Sequence, residues 1–221
     1  MYSDTLTNAN GLGFGPAPLL SLFNKTKNKK IMGHIDEMLV TKANIGGSEF
    51  KNRAANAVGS GIAAAAVIRN SVEVFGDEVV TTMDIDLDKG LASGGTANDV
   101  IGTDGGAANA YIMELTEAVN GLPYKMELFC TEVPAGGDPD INLVSSATGT
   151  DAENAAVTSG TVIMNNGDLS AGFFASAGPG ATVSAGAIAK KFLYLVAGDA
   201  TEAAYTAGKI RLKVYGLKSN F

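Results

Sequence analysis

The chain has one cysteine (Cys130), one histidine (His34) and no tryptophan in 221 residues. A single cysteine excludes an intrachain disulfide and any cysteine-based zinc site. A single histidine excludes a multi-histidine metal site within one chain. Any Ser-His-Asp triad would have to use His34, and no serine stands in a nucleophile-elbow pattern. Long apolar runs are also missing. The most alanine-rich stretch, residues 54–68, is broken by Asn56, Gly59, Ser60 and Gly61 and falls short of the ~20 residues a membrane span needs. The start, Met1-Tyr-Ser-Asp-Thr-Leu-Thr-Asn, lacks the positive region and apolar core of a signal peptide. Only 18% of residues are charged, so long charged side chains of the kind that cover exposed helices are scarce. These absences lead to the expectation of a non-enzyme with no cofactor and no membrane partner.

What is abundant points to β-structure. There are 28 glycines, with alanine, threonine and asparagine crowding the chain, as in proteins with many turns and close backbone approaches. The net charge of −7 argues against nucleic acid as a direct partner. Its distribution is uneven. Residues 1–53 carry seven Lys/Arg against four Asp/Glu, a net of +3; residues 54–221 carry nine against nineteen, a net of −10. Four of the early lysines, Lys25, Lys27, Lys29 and Lys30, sit in Asn24–Lys30. They are either a solvated loop or an arm that clamps onto an acidic partner subunit.

Along the chain, 1–60 reads as an extended N-terminal arm and 61–221 as a β-rich domain. Gly11-Leu-Gly-Phe-Gly-Pro-Ala-Pro18 cannot hold a helix, and with no preceding strand it is not a dinucleotide fingerprint. Ser48–Val58 can open a helix that Gly59-Ser-Gly61 would end. Val79, Thr81, Met83, Ile85 and Leu87 share one strand face; Val80, Thr82, Asp84, Asp86 and Asp88 share the other. Tyr111, Met113 and Leu115 fit a strand, and Tyr124, Met126, Leu128 and Cys130 another. Asn120-Gly121 between them predicts an antiparallel hairpin, with a helix stopped at Asn120-Gly121 as the competing reading. Short strands are expected at Ile141–Val144 and Gly160–Met164, and a tight loop at Gly178-Pro-Gly180. Two strands follow: Lys191–Val196, apolar on both faces, and Lys209–Tyr215, strictly alternating. The count suits a mainly β protein, an antiparallel β-sandwich or jelly-roll-like barrel.

Charge falls on strand faces. Asp84, Asp86 and Asp88 form a carboxylate ladder. As a calcium loop it fails, because Lys89 and Gly95 stand where the EF-hand needs glycine and glutamate. Asp138 and Asp140, beside Gly136-Gly137, are a smaller version of the same ladder. The ladder is a wet strand face, or one that meets a cation or a basic patch. Lys209, Arg211 and Lys213 form the densest basic patch of the body. The two faces are natural complements, within one chain or between two. Cys130 alternates with apolar residues and reads as a buried, inert thiol.

Two passages, Glu132-Val-Pro-Ala-Gly-Gly-Asp-Pro-Asp-Ile-Asn-Leu143 and the stretch from Leu193-Tyr-Leu-Val to Lys213-Val-Tyr-Gly216, together with the strands between residues 71 and 165, resemble small virion structural proteins of tailed phages. The resemblance covers about the C-terminal two-thirds of the chain and carries over no functional residue. It implies a capsid decoration or cement subunit, made in the host cytoplasm and carried on the virion surface. The partners it implies are other copies of the chain and a major capsid protein. Three other readings stand beside it: a major capsid protein, a carbohydrate-binding β-sandwich using Tyr205 and Tyr215, and a hydrolase dependent on His34.

Overall fold

The computed structural model describes residues 51–53, 55–177 and 191–218, all within one unit, 47–221. The extended arm up to residue 50, with the lysine segment 25–30 and His34, and the loop at Gly178-Pro-Gly180 lie outside the described residues. Lys51–Arg53 (β1), where a helix start was one reading, is a strand paired with Val67–Phe75 (β2). The sheet thus takes in residues upstream of position 60. β2 turns into Glu78–Asp86 (β3) through Gly76-Asp77, with Gly76 at φ 63°. Glycine with positive φ at the first central position makes the primed turn whose twist matches two right-twisted strands.

β3 buries the face read from the sequence, Val79, Thr81, Met83 and Ile85; on the other face Val80 and Asp84 are half-buried, while Thr82 and Asp86, expected to be wet, are buried as well. Its neighbour is Ala207–Leu217 (β13), antiparallel from Lys209 opposite Asp86 to Leu217 opposite Glu78. β13 buries Ile210, Leu212 and Val214 and leaves Lys209, Arg211, Lys213 and Tyr215 half-exposed. On its other side β13 pairs with Leu122–Ala135 (β7), and β7 with Phe174–Ala177 (β10). The order β1-β2-β3-β13-β7-β10 completes a six-stranded antiparallel sheet.

A second sheet has the order β6-β11-β8-β9, formed by Met113–Leu115, Lys191–Ala197, Ile141–Ser146 and Thr161–Met164. β11 is buried at every position after Lys191, because both of its faces are covered. Leu193 and Leu195 enter the shared core. Tyr194 donates its hydroxyl to the Thr148 carbonyl at 2.8 Å, and the Phe192 ring lies 4.8 Å from that of Tyr111. One continuous core takes Met83, Ile85, Met126, Leu128 and Leu212 from the first sheet and Met113, Ile141, Leu143 and Leu195 from the second. Each such side chain contributes about 1.5–3 kcal/mol of transfer free energy. A small third sheet, β12-β4-β5, joins Ala203–Ala204, Leu91–Ser93 and Gly102–Thr103. The chain is mainly β, with antiparallel sheets in a sandwich-like arrangement, as expected.

One local expectation is corrected. The predicted hairpin over Asn120-Gly121 does not form, because β6 and β7 belong to different sheets. Glu117–Asn120 (α1) is one helical turn instead. Thr116 caps it by accepting the Val119 amide, Asn120 Oδ1 takes the Thr116 amide at 2.9 Å, and Gly121 leaves it at φ 69°. The strand at Met113–Leu115 stands as read, and of the competing helix only the stop at Asn120-Gly121 is kept, as the end of this single turn. The last two strands are not sheet neighbours either. β11 lies in one sheet and β13 in the other, and the connection between them is long enough to cross the sandwich and lay β12 along β4 on the way.

Candidate functional site

The charged face of the six-stranded sheet follows from its register. One row runs Arg69–Asp84–Arg211–Phe129–Phe174 across β2, β3, β13, β7 and β10. Arg211 grips Asp84 with Nε on Oδ1 at 2.6 Å and Nη2 on Oδ2 at 2.8 Å. That bond holds the guanidinium above its usual range. Arg69 turns along its own strand to Glu73, at 2.7 Å. At the end of the row Phe129 and Phe174 lie 4.8 Å apart, and the Lys213 ammonium stands 5.9 Å from the Phe129 ring. In the next row Lys213 is opposite Thr82 and Glu127. Glu127 is also held by Lys125 and by the Tyr215 hydroxyl at 2.7 Å. Burial works against its ionisation, but these two bonds prevail and pull its carboxyl down.

The acidic and basic faces therefore meet within one chain. Asp84 pairs with Arg211. Asp86 is opposite Lys209, whose ammonium bonds Glu132 and stands 3.8 Å from Asp86 Oδ2. Asp88 does not reach this patch's cations and takes Lys89 instead, at 2.7 Å. Burial, then a hydrogen bond with Asp88, pushes the Asp86 carboxyl up; the bond from Lys89, then that with Asp86, pulls Asp88 down. Lys25, Lys27, Lys29 and Lys30 are outside the described residues.

A second cluster lies at the turn after β7. Asp138 is fully buried, and its two oxygens accept the amides of Asp140 at 2.9 Å and Asp199 at 2.6 Å. Its own amide donates to Ser93 Oγ at 3.0 Å, and its carbonyl accepts the Tyr205 hydroxyl at 2.8 Å. This hub fixes the backbone of Asp140 and Asp199. Their carboxylates and that of Asp168 bring oxygens within 4.8 Å of one another. Asp140 Oδ1 is enclosed and has no hydrogen-bond partner. Burial first, then Asp138, Asp199 and Asp168, pushes the Asp140 carboxyl up. Three carboxylates at this spacing are the ligand type of a hard divalent cation, which fills its remaining positions with carbonyls and water. The sequence signal was the Asp138-Pro-Asp140 turn beside Gly136-Gly137; the contributions of Asp168 and Asp199 come from remote loops.

Cys130 is 1% exposed, and burial pushes its thiol up, the opposite of what a nucleophile needs. The two tyrosines suggested for glycan stacking are committed elsewhere: Tyr205 is buried on the Asp138 hub, and Tyr215 is tied to Glu127. Among the described residues no helix is long and apolar enough to cross a membrane. No family model, no curated protein and no solved structure matches the chain.

Proposed function

We propose that the chain is a structural virion subunit of the capsid decoration or cement type, which stabilises a phage shell from its surface. On this reading it acts through contacts with its own copies and with a major capsid protein. The observation that supports this most is the outer face of the six-stranded sheet. Its charges are answered inside the sheet, Arg211 by Asp84 and Glu127 by Lys125 and Tyr215, while Phe174 and Leu217 stand 51% and 40% exposed beside them. Burying an unpaired charge is costly, and burying a paired one much less so. A face with paired charges and exposed apolar side chains suits cover by another protein. Many copies making such a contact add their weak affinities.

The role is tested by native mass and by particle composition. The protein should be present in purified particles and should bind shells that lack it. Deleting residues 1–30 should leave a folded body that no longer assembles. Absence from particles, together with a strictly monomeric native mass, would overturn the reading.

A further inference from the structure

Beside the small third sheet lies a cleft of about 360 Å³, lined by Ser93, Asp104, Gly106, Glu153, Asn154 and Glu202 among others. Its deepest charged group is Glu153, 7% exposed. The Gly106 amide donates to Glu153 Oε2 at 3.0 Å. Gly105 and Gly106 have φ of 106° and 77°, a conformation glycine adopts without strain, and it turns that amide onto the carboxylate. Glu153 Oε1 has no hydrogen-bond partner among the described residues, and it is not one of the fully enclosed oxygens. The open space it meets is the cleft.

Burial first, then the charges of Asp104, Glu202 and Asp99, pushes the Glu153 carboxyl up. Among the described residues no cation lines the cleft, and none of these four carboxylates joins a salt bridge. The described arginines and lysines that form ion pairs do so on the six-stranded sheet and the turn after β3. The missing counter-charge has a size. Among the described residues Asp140, Asp168 and Asp199 are the trio whose oxygens lie within 4.8 Å of one another; the cleft carboxylates do not form such a trio. The volume instead accommodates a headgroup on a carbon chain.

We propose that this cleft binds a primary ammonium group carried on an alkyl chain, with Glu153 receiving the charge and Asp104 and Glu202 at the rim. Two sources share that chemistry: a small free amine, or a lysine side chain of a second copy.

The test uses the full chain and N-acetyl-lysine N-methylamide as probe, followed by calorimetry. Glu153→Gln keeps an acceptor for the Gly106 amide and removes the charge. It should weaken the probe at least about tenfold, since hydrogen bonds to charged groups are the strong ones. Glu202→Gln, at the exposed rim, should weaken it less, and its melting curve checks the fold independently. Equal affinity of wild type and Glu153→Gln, or no binding at millimolar probe, overturns the proposal. So does calcium that displaces the probe with the same dependence on Glu153.

The sources separate in a variant with Lys25, Lys27, Lys29 and Lys30 all changed to alanine. If those lysines fill the cleft of a neighbour, this variant binds the probe more tightly and falls to monomer mass. If a free amine is the occupant, neither changes. The probe reads the isolated chain, so absence from particles would sink the virion role and leave this binding standing.

Discussion

Arg211 and Asp84 face each other on adjacent strands of the same chain and are joined by two parallel hydrogen bonds, at 2.6 and 2.8 Å. Forked pairing fixes direction as well as charge, and so pins the register of β13 against β3. The Asp84 side chain is 16% exposed and that of Arg211 41%, so solvent screening keeps the pair modest. A double-mutant cycle of Arg211→Ala and Asp84→Ala in urea should give a coupling of about 1 kcal/mol. Arg211→Lys, which keeps the charge and loses the fork, should recover less than half of it. A coupling near zero would show that the pair does not hold the register.

Asn120 carries a heavier load. Its amide donates to Thr81 Oγ1 at 2.9 Å and to Asn56 Oδ1 at 3.0 Å, while its oxygen accepts the Thr116 amide. It is 1% exposed, so its truncation leaves several buried partners without bonds. Asn120→Ala should cost about 2–4 kcal/mol in equilibrium unfolding. A loss under 1 kcal/mol would mean that water takes over these bonds.

Gly216 lies where β13 passes the end of α1. A Cβ built there would sit 2.0 Å from the Asn120 carbonyl oxygen. Gly216→Ala must therefore push backbone apart, at a cost of about 1–3 kcal/mol or more. An unchanged urea midpoint would contradict this packing.

Asp140 should give a pH signature of definite sign. Its carboxyl is raised in the folded state, first by burial, so ionisation is easier in the unfolded chain. The group's contribution to stability is then fully present below the unfolded-state value and is lost as pH rises through the folded-state value. Asp140→Asn removes that loss. Its melting temperature should exceed that of the wild type by on the order of 2–4 °C near pH 7. The gap should close on acidification to about pH 3. A variant that melts lower at neutral pH would show that the ionised carboxylate is stabilised there.

Cys130 should be chemically silent until the sandwich opens. It is buried in the core with a raised thiol. Its reaction with a disulfide reagent at pH 8 should speed up on the order of 100-fold or more on unfolding. Fast labelling of the native protein would place the thiol near the surface.

Where the sequence was informative, one period governed one environment. Period two from Val79 to Leu87 and from Lys209 to Tyr215 marks strands and their core faces, although Thr82 and Asp86 on the other face of the first are buried too, and the apolar run at 191–196 marks a strand covered on both. The turn at Gly76-Asp77 was not among the expectations, although Gly76 takes a φ that glycine adopts easily. Met113–Leu115 and Tyr124–Cys130 were harder, because alternation tells which face is wet and not which sheet a strand joins. There a short capped helix turn carries the chain from one layer to the other. The in-chain pairing of Asp84 with Arg211 needed a register across 127 positions, which periodicity alone does not supply. The Asp138 hub and the Glu153 cleft are built from loops, where polar residues carry no period at all. Glu153 lies between the strands expected at Ile141–Val144 and Gly160–Met164, and only its burial distinguishes it.

The placement of β11 and β13 has a consequence for synthesis. Each is an interior strand, β11 between β6 and β8 and β13 between β3 and β7, and both come after every strand they pair with. Until β13 has left the ribosome, β3 and β7 have no strand to join them, and until β11 has, β6 has none to link it to β8. Neither sheet can close before its late strand is made. The upstream strands must wait with open edges, and pairings this distant in sequence form slowly. Closure of the six-stranded sheet thus waits for β13, and its yield depends on how well those waiting edges are kept apart.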